Sequence, residues 1–200
     1  MHVFGKDMTV AEAISIVESD NAFYSRSGGG LTISGGEPFM QPEFTIALLK
    51  EAQKRRLDAT IETCGFADWA NLAAAARYLK LILFDIKTIN AEKHKDFTGV
   101  SNELILANFV RLRAEFPDLH ILVRIPLIPG LNDTEDEIAG ILDFIQDMPN
   151  TTYELLPYHR MGQSKYEFLG RDYPMSEIKL SDERAKELKE WAKARYPGGK

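Results

Sequence analysis

A glycine-rich turn that carries one carboxylate follows the first strand-like run of this chain. The run reads GGGLTISGGEP over residues 28–38 and closes on Gly35, Gly36 and Glu37. Two adjacent glycines let the backbone take positive φ values and let a ligand approach the main chain closely. The turn predicts either a ligand cradle or a tight strand-to-helix connection in which Glu37 caps the helix that begins near Pro42.

Four later strand-like runs also end in polar or charged residues. The carboxyl ends of parallel strands meet at the ligand-binding edge of α/β folds. We therefore expect the polar ends of these runs to lie together with the glycine turn. The residues are Glu62 on the second run, Asp85 and Lys87 on the third, Arg124 on the fourth and His159 after the fifth.

The combination of charges at these ends suits a zwitterionic ligand such as an amino-acid moiety. Carboxylates and main-chain carbonyls can bind an ammonium group, while Lys87, Arg124 or His159 can bind a carboxylate. A nucleotide phosphate fits less well, because the sequence contains neither GxGxxG nor GxxxxGK[ST]. Structural alternatives stay open, since Glu62 and Arg124 could form an ion pair and His159 could be an ordinary loop residue.

Two side chains in the same regions are candidate nucleophiles. Lys87 could form a Schiff base, as in a lyase, but that role needs an apolar pocket or a cationic neighbour, and Asp85 lies two residues away. Cys64 has no histidine near it in the sequence, which favours the role of a small buried hydrophobic residue.

Helical and strand-like segments alternate along the chain and predict an α/β fold. Thr9 and Glu12 form a T-x-x-E capping box, so a helix comes first. Continuous apolar strands separated by helices predict parallel βαβ units with both sheet faces covered. Five strands are too few for a closed eight-stranded barrel, so an open or partial barrel is expected, with a doubly wound sheet as the alternative. The first expected strand lies within the element 28–38, and the later strands cover residues 57–63, 81–86, 120–125 and 152–156. The expected helices after the first cover 42–56, 69–78, 91–97, 103–116, 134–146 and 182–195.

Composition limits the classes of function that are open to the chain. Its 200 residues, 44% hydrophobic and 27% charged, predict one globular domain over residues 1–200. The net charge of −6, without a basic patch, disfavours nucleic-acid binding. No apolar run has the length of a signal peptide or membrane span, so a cytoplasmic location is expected. The single cysteine excludes an internal disulfide and any site that needs several thiolates from this chain.

Five ordered motifs carry a resemblance to a known family. They are S-G-G-E-P, E-T-C-G, F-D-I-K, R-x-P-x-I-P-G-x-N-D and E-L-L-P-Y-H-R-M-G. As a set, within residues 8–170, they resemble the radical S-adenosylmethionine (SAM) activases of glycyl radical enzymes, the pyruvate formate-lyase activating enzyme family. The resemblance implies a partial (β/α)6 barrel that uses SAM and a [4Fe–4S] cluster to remove a hydrogen atom from a glycine of a partner enzyme, with flavodoxin or ferredoxin as electron donor.

The resemblance also implies roles for single residues. Gly35, Gly36 and Glu37 resemble the motif that holds the methionyl amino group of SAM. Asp85 and Lys87 look like the D-x-K pair of the family, which contacts the methionyl moiety and the ribose.

Four further positions also resemble the family. His159 resembles its histidine near the methionyl group, and Arg124 matches the arginine of the strand that comes fourth here. Glu62 and Thr63 stand where some members have an Asp-Thr pair that helps to bind a monovalent cation, and the replacement of Asp by Glu leaves that cation in question.

The cluster-binding loop of the family has no counterpart in this sequence. That loop carries a CxxxCxxC motif upstream of the first helix, whereas Cys64 is the only cysteine here. We therefore expect an incomplete barrel with five parallel strands and the first strand missing, with no metal ligand and no catalytic residue of its own, and inactive by itself. The bared sheet edge predicts self-association. A shortened binding protein that keeps the ligand pocket or the partner surface is the alternative.

Overall fold

A single five-stranded parallel sheet forms the centre of the protein. The computed structural model describes residues 5–158, 163–168, 170, 172 and 179–199. The spatial order of the strands is the same as their order along the chain. A doubly wound sheet reverses its order at a switch point, so that alternative is wrong, and the expected α/β fold of an incomplete barrel is confirmed. The strands are β1 (Leu31–Ile33), β2 (Ala59–Thr63), β3 (Leu81–Asp85), β4 (His120–Leu127) and β5 (Thr151–Pro157).

The helices that connect the strands start and end close to the predicted positions. The Thr9 and Glu12 capping box is present at the first helix. Three short helices were not predicted from the sequence. They are α2 (Asn21–Ser27), α8 (Gln163–Phe168) and a 3-10 helix at Pro38–Met40. No helix in the described part of the chain is long and apolar enough to cross a membrane. The α-helices are α1 (Val10–Glu18), α2 (Asn21–Ser27), α3 (Pro42–Lys54), α4 (Trp69–Ala76), α5 (Ala91–Thr98), α6 (Glu103–Glu115), α7 (Glu135–Ile145), α8 (Gln163–Phe168) and α9 (Asp182–Arg195).

The two faces of the sheet differ in burial. Along β2 and β3, buried residues alternate with half-buried ones. The buried residues, such as Ile61 and Phe84, join one apolar core with helix residues that include Phe109 of α6. The opposite face carries Glu62 and Arg124 and lies outside this core. Among the described residues, this second face is only partly buried, and it carries the polar side chains.

Strand β1 forms one edge of the sheet. It is only three residues long, and Thr32 in its middle is exposed. Of its three residues, only Leu31 is buried. The backbone N–H of Leu31 donates to the carbonyl of Asp58, which joins β1 to the start of β2. At the other edge, β5 is packed against α9.

Candidate functional site

The carboxyl ends of the first four strands surround a cavity of about 190 Å³. Seven of the eight residues predicted to bind a ligand line it. The eighth, His159, lies outside the residues that the structure describes. The structure therefore brings together every predicted position that it describes. The seven residues are Gly35, Gly36, Glu37, Glu62, Asp85, Lys87 and Arg124.

The carboxylate of Glu37 is occupied by neighbours within the protein. Oε1 accepts hydrogen bonds from the hydroxyl of Thr63 at 2.7 Å and the backbone N–H of Phe39 at 3.3 Å. Oε2 accepts from the backbone N–H of Cys64 at 3.0 Å and from its thiol at 3.1 Å. Glu37 thus caps the 3-10 helix Pro38–Met40, not helix α3. Its main effect is to join the glycine turn to the end of β2.

The glycine turn offers its main chain to the cavity. Gly35 has a φ of 138°, which residues with a side chain rarely adopt. A Cβ atom added at Gly35 or Gly36 would have no protein atom within 4 Å. The backbone is therefore open to a ligand here, and its carbonyls are the groups that can accept a hydrogen bond from an ammonium.

Arg124 links the ends of three strands. Its Nη1 lies 2.8 Å from Oε1 of Glu62, and its Nε lies 2.9 Å from Oδ1 of Asp85. Burial lowers the pKa of this guanidinium, but the charges and hydrogen bonds of Asp85 and Glu62 outweigh burial and raise it above the ordinary arginine value. Ser34 donates to the other oxygen of Glu62. The predicted Glu62–Arg124 ion pair is thus present and includes Asp85.

Lys87 is the second cation that lines the cavity. It follows β3 by two residues and is half-buried. Within the described ranges it forms no ion pair, in contrast to Arg124. The Lys87 ammonium can therefore bind the carboxylate of a ligand. The nearby backbone carbonyls can accept hydrogen bonds from the ammonium group of the same ligand. This arrangement is complementary to a zwitterion.

Cys64 lines the cavity instead of joining the core. It is half-buried, so the prediction of a small buried hydrophobic residue is wrong. Burial is the largest influence on the Cys64 thiol and raises its pKa above the ordinary cysteine value. A backbone hydrogen bond from Phe66 opposes this rise, and Glu37 adds to it. The thiol is therefore protonated near neutral pH, which disfavours a role as nucleophile.

The sequence analysis gave no role to two residues of this edge, Ser34 and Glu154. Ser34 is close in sequence to predicted residues, but its contact with Glu62 depends on which strands are neighbours. Glu154 on β5 is paired in register with Arg124, so its side chain lies on the same face of the sheet. A polar residue between apolar ones in a strand was the available signal for Glu154.

The residues of this chain do not fit the iron–sulfur cluster that the family resemblance implies. Across the part of the chain that the structure describes, no three His, Cys, Asp or Glu side chains are placed to hold a metal ion. The full sequence has one cysteine, whereas a [4Fe–4S] cluster is held by several thiolates.

Comparison with known proteins finds one family model and several curated relatives that match most of this chain. A family model described as the radical SAM superfamily matches residues 2–145. The isethionate sulfite-lyase activating enzyme of Nitratidesulfovibrio vulgaris is 51% identical over 185 residues, which are 92% of this chain and 60% of that protein. The (2S)-3-sulfopropanediol sulfolyase activating enzyme of Bilophila wadsworthia is 49% identical, over 92% of this chain and 61% of that protein.

A solved structure shows the same architecture. It is a domain of the pyruvate-formate lyase-activating enzyme from Bacteroides vulgatus, with a TM-score of 0.67 and 29% identity. The match covers 83% of this chain and 94% of that domain. The chain thus spans nearly all of this domain but only about 60% of the length of the two curated relatives.

Proposed function

Because the chain belongs to the radical SAM superfamily, we propose that it is the SAM-binding portion of an enzyme that generates a glycyl radical on a partner enzyme. The observation that carries the proposal is the convergence of four strand ends on one cavity with complementary charges. Relatives named as activating enzymes, at 51% and 49% identity, support the same conclusion.

The residues at the cavity would divide the binding of SAM among them. The carbonyls of Gly35 and Gly36 would accept hydrogen bonds from the methionyl ammonium, and Lys87 would pair with the methionyl carboxylate. Glu37 would act indirectly by fixing the glycine turn. Arg124, held by Asp85 and Glu62, would keep the ends of β2, β3 and β4 in register around the ligand.

In the complete enzyme, SAM would supply the group that removes a hydrogen atom from the partner. That chemistry also needs a cluster that this chain cannot ligate with one cysteine. We therefore propose that the chain binds SAM without cleaving it. In the complete enzyme the electron would come from a flavodoxin or ferredoxin, and the partner would be a lyase related to those in the names of the relatives.

Calorimetry with SAM tests the binding proposal. The wild-type chain should bind SAM, and Asp85→Ala should weaken binding about tenfold, because Arg124 loses one of its two carboxylates. Asp118→Ala is the control, since Asp118 is exposed and lies before β4, away from the cavity. Absence of SAM binding by the wild type, or equal weakening by both substitutions, would contradict the proposal.

Anaerobic reconstitution tests the absence of chemistry. The chain is incubated with iron, sulfide, reductant and SAM, and 5′-deoxyadenosine is measured. We expect no cluster absorbance and no product. A positive result in both measurements would overturn the assignment of this chain as a binding portion only.

A further inference from the structure

Asn132 lies in the loop between β4 and α7 and is completely buried. Its side-chain amide makes three hydrogen bonds, all to the main chain. Nδ2 donates to the carbonyl of Lys87 at 2.6 Å and to that of Pro126 at 2.8 Å. Oδ1 accepts from the backbone N–H of Ile128 at 2.7 Å. One amide group thus joins the chain after β3 to the end of β4.

The position of this amide coincides with the place where β3 and β4 separate. The last pair in register between them is Asp85 with Arg124, and the next backbone bond runs from Ile86 to the carbonyl of Arg124 at 3.1 Å. Beyond it, β4 continues beside β5 as far as Leu127. The carbonyl of Lys87 therefore lies past the end of the ladder, where Asn132 supplies the hydrogen bond that a strand would otherwise donate.

Lys87 is held in the cavity through this contact. The main chain on its amino side is fixed by the ladder, and the carbonyl on its carboxyl side is fixed by Asn132. The neighbouring carbonyl of Thr88 is bound in turn by Asn102 at 2.7 Å. Loss of the Asn132 amide would remove this donor from the carbonyls of Lys87 and Pro126, two half-buried residues, and release the segment that carries the lysine.

We propose that Asn132 is a positioning residue for ligand binding, which acts by fixing Lys87 relative to the turn that follows β4. The inference rests on the proposed binding of SAM at this edge. Asn132 itself does not line the cavity. Its contribution to affinity therefore depends on the presence of the lysine side chain, which distinguishes it from a residue that only stabilises the fold.

A double-mutant cycle on SAM affinity tests this dependence. Asn132→Ala is measured in the wild type and in a Lys87→Met background, and Asn132→Asp serves as a second variant that keeps the shape and the acceptor atom. We expect about a tenfold loss of affinity in the wild type and almost none in the Lys87→Met background. Equal losses in both backgrounds would overturn the proposal.

Asn108→Ala is the matched control for the loss of a buried amide. Asn108 is equally buried and donates from Nδ2 to two loop carbonyls, those of Gly65 and Ala67, both at 2.8 Å. Neither acceptor residue lines the cavity. We expect Asn108→Ala to lower the free energy of unfolding as Asn132→Ala does, but to leave SAM affinity unchanged.

A measurement without ligand separates this inference from the proposed function. The rate at which an N-hydroxysuccinimide ester acylates Lys87 is followed by mass spectrometry. Acylation should be several-fold faster in Asn132→Asp than in the wild type and unchanged in Asn108→Ala. If the wild type does not bind SAM, the proposed function fails, and the acylation rates alone decide whether Asn132 positions Lys87. Unchanged acylation in Asn132→Asp would then overturn the inference.

Discussion

Glu37 and Cys64 determine each other's chemistry at the edge of the sheet. The carboxylate accepts hydrogen bonds from both the backbone N–H and the thiol of Cys64. The carboxylate of Glu37, which the family motif presents as a ligand contact, is therefore already hydrogen-bonded within the protein. The thiol beside it is kept in its neutral form by burial and by that carboxylate. The open main chain of the glycine turn remains as the recognition element.

The raised pKa of the Cys64 thiol predicts how its alkylation rate depends on pH. Its pKa is raised on folding, so the neutral thiol is favoured in the folded state. The resulting stabilisation is complete below the unfolded thiol pKa, about 8.5, and is lost as pH rises through the higher folded value. Alkylation of the folded chain by iodoacetamide should therefore accelerate at a higher pH than alkylation of the denatured chain.

Mass spectrometry of the alkylation rate against pH checks this prediction, and the single cysteine makes the product unambiguous. Glu37→Gln should move the acceleration to lower pH, because the charge of Glu37 is removed. The prediction would be contradicted if the alkylation rate of the folded wild type began to rise at a lower pH than that of the denatured chain.

Gly65 is a second position where one atom decides the local structure. It has a φ of 72°, and a Cβ there would lie 2.2 Å from the buried ring of Phe84. Gly65→Ala should lower the free energy of unfolding by about 3 kcal/mol. Gly99→Ala is the control, because Gly99 has a φ of 85° but no neighbour within 4 Å, and only about 1 kcal/mol is expected. Chemical denaturation measures both, and equal losses would contradict the steric argument.

At the scale of elements, helix α1 depends on a reciprocal cap. The hydroxyl of Thr9 accepts from the backbone N–H of Glu12, and the carboxylate of Glu12 accepts from that of Thr9. Thr9→Ala should lower the free energy of unfolding by about 1 kcal/mol. Ser15→Ala, at an exposed position inside the same helix, should cause no loss.

The contribution of this cap also depends on pH. Hydrogen bonds from the backbone and the side chain of Thr9 lower the pKa of Glu12 on folding. The corresponding stabilisation is present above the unfolded glutamate pKa, about 4.3, and is lost as pH falls through the lower folded value. The difference between wild type and Thr9→Ala in urea denaturation should therefore shrink in acid. A difference that grows in acid would contradict this account.

Local sequence signals were sufficient for most elements and insufficient for their contacts. Helix α9 begins and ends as predicted, because its charged and apolar positions repeat clearly. Helix α2 reads NAFYSRS and offers no such repeat in seven residues. The motifs predicted that the polar strand ends would meet, but the buried amide of Asn132 contacts a residue 45 positions away. A partner at that distance depends on strand register, which the sequence does not display.

At the scale of the whole molecule, the free edge of β1 predicts self-association. The N–H of Leu31 points toward β2, so the N–H of the next residue, Thr32, points outward. Thr32→Pro removes this outward donor without removing a bond to β2 and should suppress association. Thr32→Val keeps the donor and should associate like the wild type. Sedimentation velocity at high concentration checks both variants, and a monomeric wild type would contradict the prediction.

The strands have the same order in the sheet as along the chain, and this order affects how the protein can fold during its synthesis. Each strand pairs with the one that the ribosome has just released, so no strand waits unpaired for a later segment. Contacts of short sequence separation also favour rapid folding. The sheet can therefore grow one βα unit at a time, from the glycine turn toward β5, and the cavity gains its last cation when Arg124 emerges.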